Sequence, residues 1–314
     1  MSTDQSTDLP PVLVLGGGPD REREISLRSS EAVHKAARAA GFDAELLVID
    51  RPTQAEVAAW KGHLILPILH GRFGEGGVLQ RMLEQAGLRF VGCRSEAARL
   101  AMDKMATKLA AARAGVPTSP GAIVDPDDNV SPVGLPAVVK PVADGSSVGL
   151  HICRDQPAWD RALAAVRADQ QENPHRAYLA EPFIAGREVT APLLGETDGS
   201  LTSLPLVEIA AADGVYDYKA KYTRNDTRYT VLSGLADETT GQIQEHAARV
   251  GRAIGVRHLA RVDFLLPPDR EPVMLEVNTM PGFTSTSLLP MAAHAAGIPM
   301  PALVSHIIRL AMQD

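Results

Sequence analysis

The feature that most constrains the fold is an alternation near the start of the chain. Short, wholly apolar runs lead into turns and then into helix-patterned segments. Val12 to Leu15 ends in Gly16-Gly17-Gly18, and an alanine-rich stretch from about Ser26 to Ala40 follows, closed by Gly41. Ala44 to Val48 and Leu64 to Leu69 repeat the apolar run. Runs this short and apolar read as strands buried on both faces, and strands separated by helices pair in parallel. Residues 1–94 are therefore expected to form a parallel α/β lobe. Residues 1–10, polar and acidic, are expected to be a disordered tail.

Beyond Gly92 the texture changes. Ser95 to Ala114 reads as one helix with Leu100, Met105, Leu109 and Ala112 on an apolar stripe, stopped by Gly115 and Pro117. Ala137 to Lys140 and Val148 to Cys153 read as strands around a glycine-serine turn. A helix near Trp159 to Ala168 and a strand from Tyr178 to Ile184 complete a small α+β lobe, 95–184. Residues 185–314 mix longer strands with helices at Thr239 to Ile254 and Pro301 to Met312. The class expected is α/β plus α+β in three lobes, for which 314 residues suffice.

Composition narrows the partners. With 31 Lys and Arg against 38 Asp and Glu, the net charge of −7 disfavours nucleic acid or an anionic membrane as a general partner. The 2 cysteines, Cys93 and Cys153, are too few for a disulfide framework. No apolar run approaches a bilayer-spanning length, and the first residues lack a signal-peptide core. A cytoplasmic protein is expected.

The most informative segment runs from Leu259 to Asn278, where two apolar runs flank the turn-rich Pro267 to Pro272. It reads as a β-hairpin. If the turn is centred, Asp263 lies opposite Glu276 and Arg261 opposite Asn278. Facing carboxylates repel unless a cation sits between them, and Asp, Glu and Asn oxygens are hard ligands suited to Mg²⁺. The same pattern taken alone also describes a hairpin with a wet polar face.

Other segments carry weaker signals. Lys140 to Gly149 has the small residues of a phosphate-binding nest but lacks the P-loop pattern. Glu22-Arg-Glu-Ile-Ser26 and His70-Gly-Arg-Phe-Gly-Glu75 each follow a buried strand and would open onto one crevice. Tyr216 to Tyr222 concentrates Tyr and Lys in a polar stretch, as a clamp or lid would.

In their order these runs, with Met102-Asp-Lys104 and Glu276 to Leu288, resemble the D-alanine–D-alanine ligases of the ATP-grasp superfamily over nearly the whole chain. The resemblance implies ATP as cosubstrate, Mg²⁺ or Mn²⁺ as two bound ions, and two D-alanine molecules per turnover. It also implies a homodimer serving peptidoglycan precursor synthesis. Asp263, Glu276 and Asn278 would hold metal. Lys104, Lys140 and Lys221 would meet phosphates, with Ser146 and Ser147 in the covering loop. Glu181, Phe183 and Ile184 would contact adenine and Glu188 the ribose, with Leu275 also in the nucleotide site. Glu22 would hold the first D-alanine, beside His70, and Tyr222 would latch the lid to Ser146 and Glu22. Arg261 and the Gly282 amide would form the oxyanion hole, and Ser287 and Leu288 would receive the second carboxylate.

This chain departs from the family pattern at three positions. Gly76 stands where Asp is usual, Asp144 where Glu is usual, and Val215 where an aromatic residue commonly packs near adenine. Within the same architecture, D-lactate and D-serine ligases are the alternatives, and Tyr222 disfavours the D-lactate version. A nucleotide binder without catalysis is disfavoured by the joint presence of Arg261, Asp263, Glu276 and Asn278.

Overall fold

The computed structural model describes residues 9–145, 149–210, 227–232 and 236–314. Ser146, Ser147, Val215, Lys221, Tyr222 and most of the expected N-terminal tail lie outside the described residues.

The apolar runs form β1 (Val12–Gly17), β2 (Ala44–Ile49) and β3 (Leu64–Pro67), with α1 (Arg23–Ala39) between the first two. β1 is central and pairs in parallel with both neighbours, in the order β2-β1-β3. A strand so enclosed has no wet face, which is why every residue of β1 is buried. Gly17 and Gly18 turn the chain with φ of 95° and 91°, a region costly for other residues. The Ser26 hydroxyl then accepts from the Gly17 amide at 2.9 Å and donates to the Ile68 carbonyl, fixing the start of α1 over the ends of β1 and β3. α2 (Gln54–Ala58), α3 (Gly71–Glu75) and α4 (Val78–Gln85) complete this part of the chain.

The single helix expected from Ser95 to Ala114 is two: α5 (Ser95–Met102) and α6 (Lys104–Arg113). Asp103 divides them. Its backbone is extended, with φ −85° and ψ 104°, and its carboxylate accepts the Ala106 amide at 3.0 Å. A short acidic side chain offers the backbone this alternative to helix, which makes Asp a favoured cap. The break resets the phase of the second helix. Leu109, expected inside, is exposed, and α6 buries Lys104, Thr107, Lys108 and Ala111 instead.

A four-stranded antiparallel sheet follows, ordered β4-β7-β5-β6 from β4 (Ala122–Ile123), β5 (Ala137–Pro141), β6 (His151–Cys153) and β7 (Tyr178–Pro182). α7 (Gln156–Glu172) covers it, with Trp159, Leu163 and Val166 buried against Val139 and Ala180.

Among the described residues the largest sheet has six strands. β8 (Arg187–Gly195), β9 (Leu201–Ser203), β10 (Val207–Ala210), β11 (Arg228–Val231), β12 (Leu259–Leu266) and β13 (Val273–Asn278) run in the order β11-β10-β8-β12-β13, with β9 on β8. α8 (Asp237–Ile254) packs on this sheet together with α5 and α6 through Ala97, Ala111, Ile243 and Phe264. α9 (Leu288–Ala295) and α10 (Met300–Gln313) return to the first sheet, where Ile307 and Ile308 share a core with Val12, Val14 and Phe283. The end of the chain is thus packed on its beginning. Among the described residues no single helix is long and apolar enough to cross a membrane.

Candidate active site

The β12–β13 hairpin pairs as expected: Arg261 faces Asn278 and Asp263 faces Glu276. The register shifts beyond Asp263, because Phe264 pairs with Met274 and leaves the half-buried Leu275 as the extra residue of a bulge. The Asp263 carboxylate is 2% exposed and well surrounded by donors. Thr190 Oγ1 donates to it at 2.6 Å, Arg261 Nε and Nη2 at 2.9 and 2.8 Å, and Asn278 Nδ2 at 3.0 Å. Glu276 stands 3.8 Å from Lys104 Nζ.

Two carboxylates facing each other beside an amide form an all-oxygen donor set, which fits a hard divalent cation such as Mg²⁺ or Mn²⁺. Among the described residues no group of three or more His, Cys, Asp or Glu gathers as a metal site, so the fit rests on the Asn278 amide as well. Asp263 would share its oxygens between such a cation and Arg261.

Lys104 opens α6 and is buried. Its ammonium donates to the Asp144 carbonyl at 2.6 Å, so it joins the glycine-serine turn to Glu276. Glu75, Lys104, Asp144, Gly145, Glu276 and Asn278 line one cleft. Lys140, on β5, and Glu181, on β7, were expected to serve phosphate and adenine separately. They form an ion pair at 2.8 Å. Lys108 completes the group at 2.6 Å from Glu181 and was not singled out from the sequence, although its spacing of four from Lys104 puts both on one helix face. Burial works against the Glu181 charge, but Lys140 and Lys108 together hold its carboxyl below the usual range. The Phe183 amide donates to the Pro136 carbonyl at 2.9 Å, with the Arg154 guanidinium over its ring. Ile184 and Glu188 are half-buried, and Glu188 lies on β8 opposite Leu265.

The crevice at the end of the first sheet gathers Glu22, His70 and Glu75, all buried. His70 Nδ1 lies 3.1 Å from the Met280 carbonyl, and burial pushes the imidazole pKa down to about 4. Glu75 accepts the Gly71 amide at 3.0 Å. Burial raises its carboxyl to about 8, against that hydrogen bond, and the charges of Glu22 and Glu276 add to the rise. Glu75 belongs to the His70 run, which the sequence opens onto one crevice with Glu22, and the fold brings the two carboxyls near each other there. Gly145 closes over the pair: a Cβ there would lie 3.3 Å from Glu22 Oε1 and 3.8 Å from Glu75 Oε1.

Gly282 is held against Ser287, whose hydroxyl would be 2.7 Å from an added Cβ. Ser287 precedes α9, its hydroxyl accepts the Thr284 amide at 3.0 Å, and Leu288 is the first helical residue. A helix start is favourable ground for a carboxylate. Two departures from the family pattern have local reasons. A side chain at Gly76 would strike the Arg72 carbonyl at 2.4 Å. Asp144 is met by Arg176 Nε at 3.0 Å, and Arg176 in turn pairs with Asp169 at 2.6 Å.

Two antiparallel sheets, one carrying Lys140 and Glu181 and the other Asp263 and Glu276, held beside a parallel lobe, define the ATP-grasp class. The model of the D-ala D-ala ligase C-terminus matches residues 123–309. A D-alanine–D-alanine ligase of Cupriavidus pinatubonensis is 39% identical over 305 residues, covering 96% of this chain and 91% of that protein. The D-Ala:D-Ser ligase VanG of Enterococcus faecalis superposes with a TM-score of 0.81 at 26% identity, covering 97% of this chain and 100% of that one. The D-alanine–D-alanine ligase of Coxiella burnetii shares the fold at the same TM-score of 0.81, with 24% identity and coverage of 97% and 94%. The chain belongs to the D-alanine–D-alanine ligase family.

Proposed function

We propose that this protein joins two D-alanine molecules, consuming ATP and releasing D-Ala-D-Ala, ADP and phosphate. The first carboxylate attacks the γ-phosphate, and the amine of the second D-alanine then attacks the carbon of the resulting D-alanyl phosphate. The observation that carries this reading is the opposition of Asp263 and Glu276 across the hairpin, with Glu276 in one cleft with Lys104 and Glu75.

The chain's residues divide the work. Glu22 and His70 hold the ammonium end of the first D-alanine, and the neutral imidazole avoids repelling it. Lys104, Lys140 and Lys221 screen the phosphates as two anions approach, with Ser146 and Ser147 in the covering loop. Glu181, Phe183 and Ile184 receive adenine and Glu188 the ribose, with Leu275 also in the nucleotide site. Arg261 and the Gly282 amide stabilise the negative charge of the tetrahedral intermediate. Ser287 and Leu288 orient the second carboxylate, and Tyr222 closes the site with Ser146 and Glu22, keeping water from the acyl phosphate. Asp263, Glu276 and Asn278 would hold Mg²⁺ or Mn²⁺, two ions in all, which when bound would neutralise phosphate charge. On this reading the lobes are 1–94, 95–184 and 185–314. The enzyme works as a cytoplasmic homodimer in peptidoglycan precursor synthesis.

The test is product identification by mass after incubation with ATP, Mg²⁺ and D-alanine. D-Ala-D-Ala and ADP are expected; AMP and pyrophosphate would overturn the reading. Likeness to a D-Ala:D-Ser ligase supports a second arm with D-serine in competition. A mixed dipeptide exceeding D-Ala-D-Ala would shift the assignment to that substrate.

A further inference from the structure

Lys108 has the surroundings of a fixed counter-ion. It is 5% exposed, and its ammonium meets Glu181 Oε1 at 2.6 Å, Thr118 Oγ1 at 3.1 Å, the Ser119 carbonyl at 3.1 Å and Ser119 Oγ at 3.0 Å. Thr118 is itself anchored, donating to the Met274 carbonyl at 3.1 Å. These partners lock Lys108 in place. Lys140 approaches the same carboxylate from β5 at 2.8 Å, and 12% of its side chain is exposed. Glu181 is therefore doubly compensated, by one fixed lysine and one at the edge.

A carboxylate 4% exposed stays ionised only if its charge is balanced. With one lysine removed to another anion, the second must suffice. Lys140 of β5 and Lys108 of α6 act on Glu181, while Lys140 and, less strongly, Lys104 of α6 act on Lys108. β4, the other strand beside β7, brings no charged group. We infer that Lys108 is a positioning residue for nucleotide binding: it keeps Glu181 ionised and in place while Lys140 exchanges that carboxylate for a nucleotide phosphate. This inference rests on the nucleotide reading of Lys140 and Glu181 given above.

The partner exchange has a distinct signature. Without Lys108, drawing Lys140 to phosphate strands the Glu181 charge, and the carboxyl must take up a proton. Binding of MgADP is measured by calorimetry in two buffers of different ionisation enthalpy, from pH 6 to 8. Wild-type protein is expected to bind with no proton uptake by Glu181. Lys108→Met and Lys108→Gln are expected to bind roughly tenfold more weakly at pH 8 and to take up as much as about one proton per nucleotide. The Gln variant keeps a donor for Ser119 and carries the test if the Met variant does not fold. Adding Glu181→Gln to either variant is expected to abolish the uptake. Wild-type affinity without proton uptake in a folded Lys108 variant would overturn the inference and leave Lys108 a structural tie. Absence of MgADP binding to the wild-type protein would overturn the nucleotide reading beneath it, and the inference with it.

Discussion

Arg261 grips Asp263, two residues along the same strand, with Nε and Nη2 at 2.9 and 2.8 Å from its two oxygens. A guanidinium placed this way neutralises a buried acid through a two-pronged hydrogen bond. The same side chain is the proposed donor to the tetrahedral intermediate. Arg261→Ala is expected to lower kcat by about 10²–10³, the usual effect of losing one oxyanion donor. Arg261→Lys restores the charge without the fork and is expected to recover only part of the rate. D-alanine-dependent ADP release measures both, and wild-type kcat in Arg261→Ala would remove this residue from the mechanism.

The facing carboxylates predict a requirement for a divalent cation. Glu276→Gln keeps the size of the side chain but removes one charge from the donor set. Half-maximal activity in this variant is expected at a clearly higher Mg²⁺ concentration, and chelation is expected to abolish wild-type turnover. Indistinguishable Mg²⁺ titrations would count against metal at β13.

Asp103 carries a structural prediction with a functional edge. Removing its carboxylate leaves the Ala106 amide uncapped, and Asp103→Ala is expected to cost about 1 kcal/mol in chemical denaturation. Because Lys104 begins the helix that Asp103 caps, KM for ATP is expected to rise while KM for D-alanine stays near its wild-type value. Asp103→Asn, which still accepts the amide, is expected to retain most of the stability.

His70 supplies a pH dependence whose sign follows from its burial. Its pKa falls from the ordinary 6.5 to about 4 in the fold, so the folded chain binds fewer protons than the unfolded one between those values. The stabilisation is complete above pH 6.5 and is lost as pH falls toward 4, with about 2 kcal/mol gone at pH 5. His70→Gln removes this titration. Denaturant melts at pH 7.5 and pH 5 are expected to differ less in the variant than in the wild type, and equal differences would contradict a buried neutral imidazole.

Several features were legible without the fold. The β/α alternation specified the parallel sheet, because a strand enclosed on both faces leaves an unbroken apolar run such as Val12 to Leu15. The pairing of Asp263 with Glu276 followed from a strand's two-residue period and a centred turn, both local properties. Helix phase was less secure. The apolar periodicity of 95–114 pointed Leu109 inward, but one cap at Asp103 rotated α6 and turned its lysines to the interior.

What the sequence by itself determined were elements, their order and the chemical types gathered at their ends, since these depend on neighbours within a few residues. Only the tertiary structure decided which of those groups meet. Lys108 and Glu181 are 73 positions apart, yet come within 2.6 Å, and His70 reaches the Met280 carbonyl across 210 positions. No local periodicity encodes such meetings. They are fixed when the sheets and their covering helices bury their apolar faces against one another, and the polar groups are carried to wherever that packing leaves them.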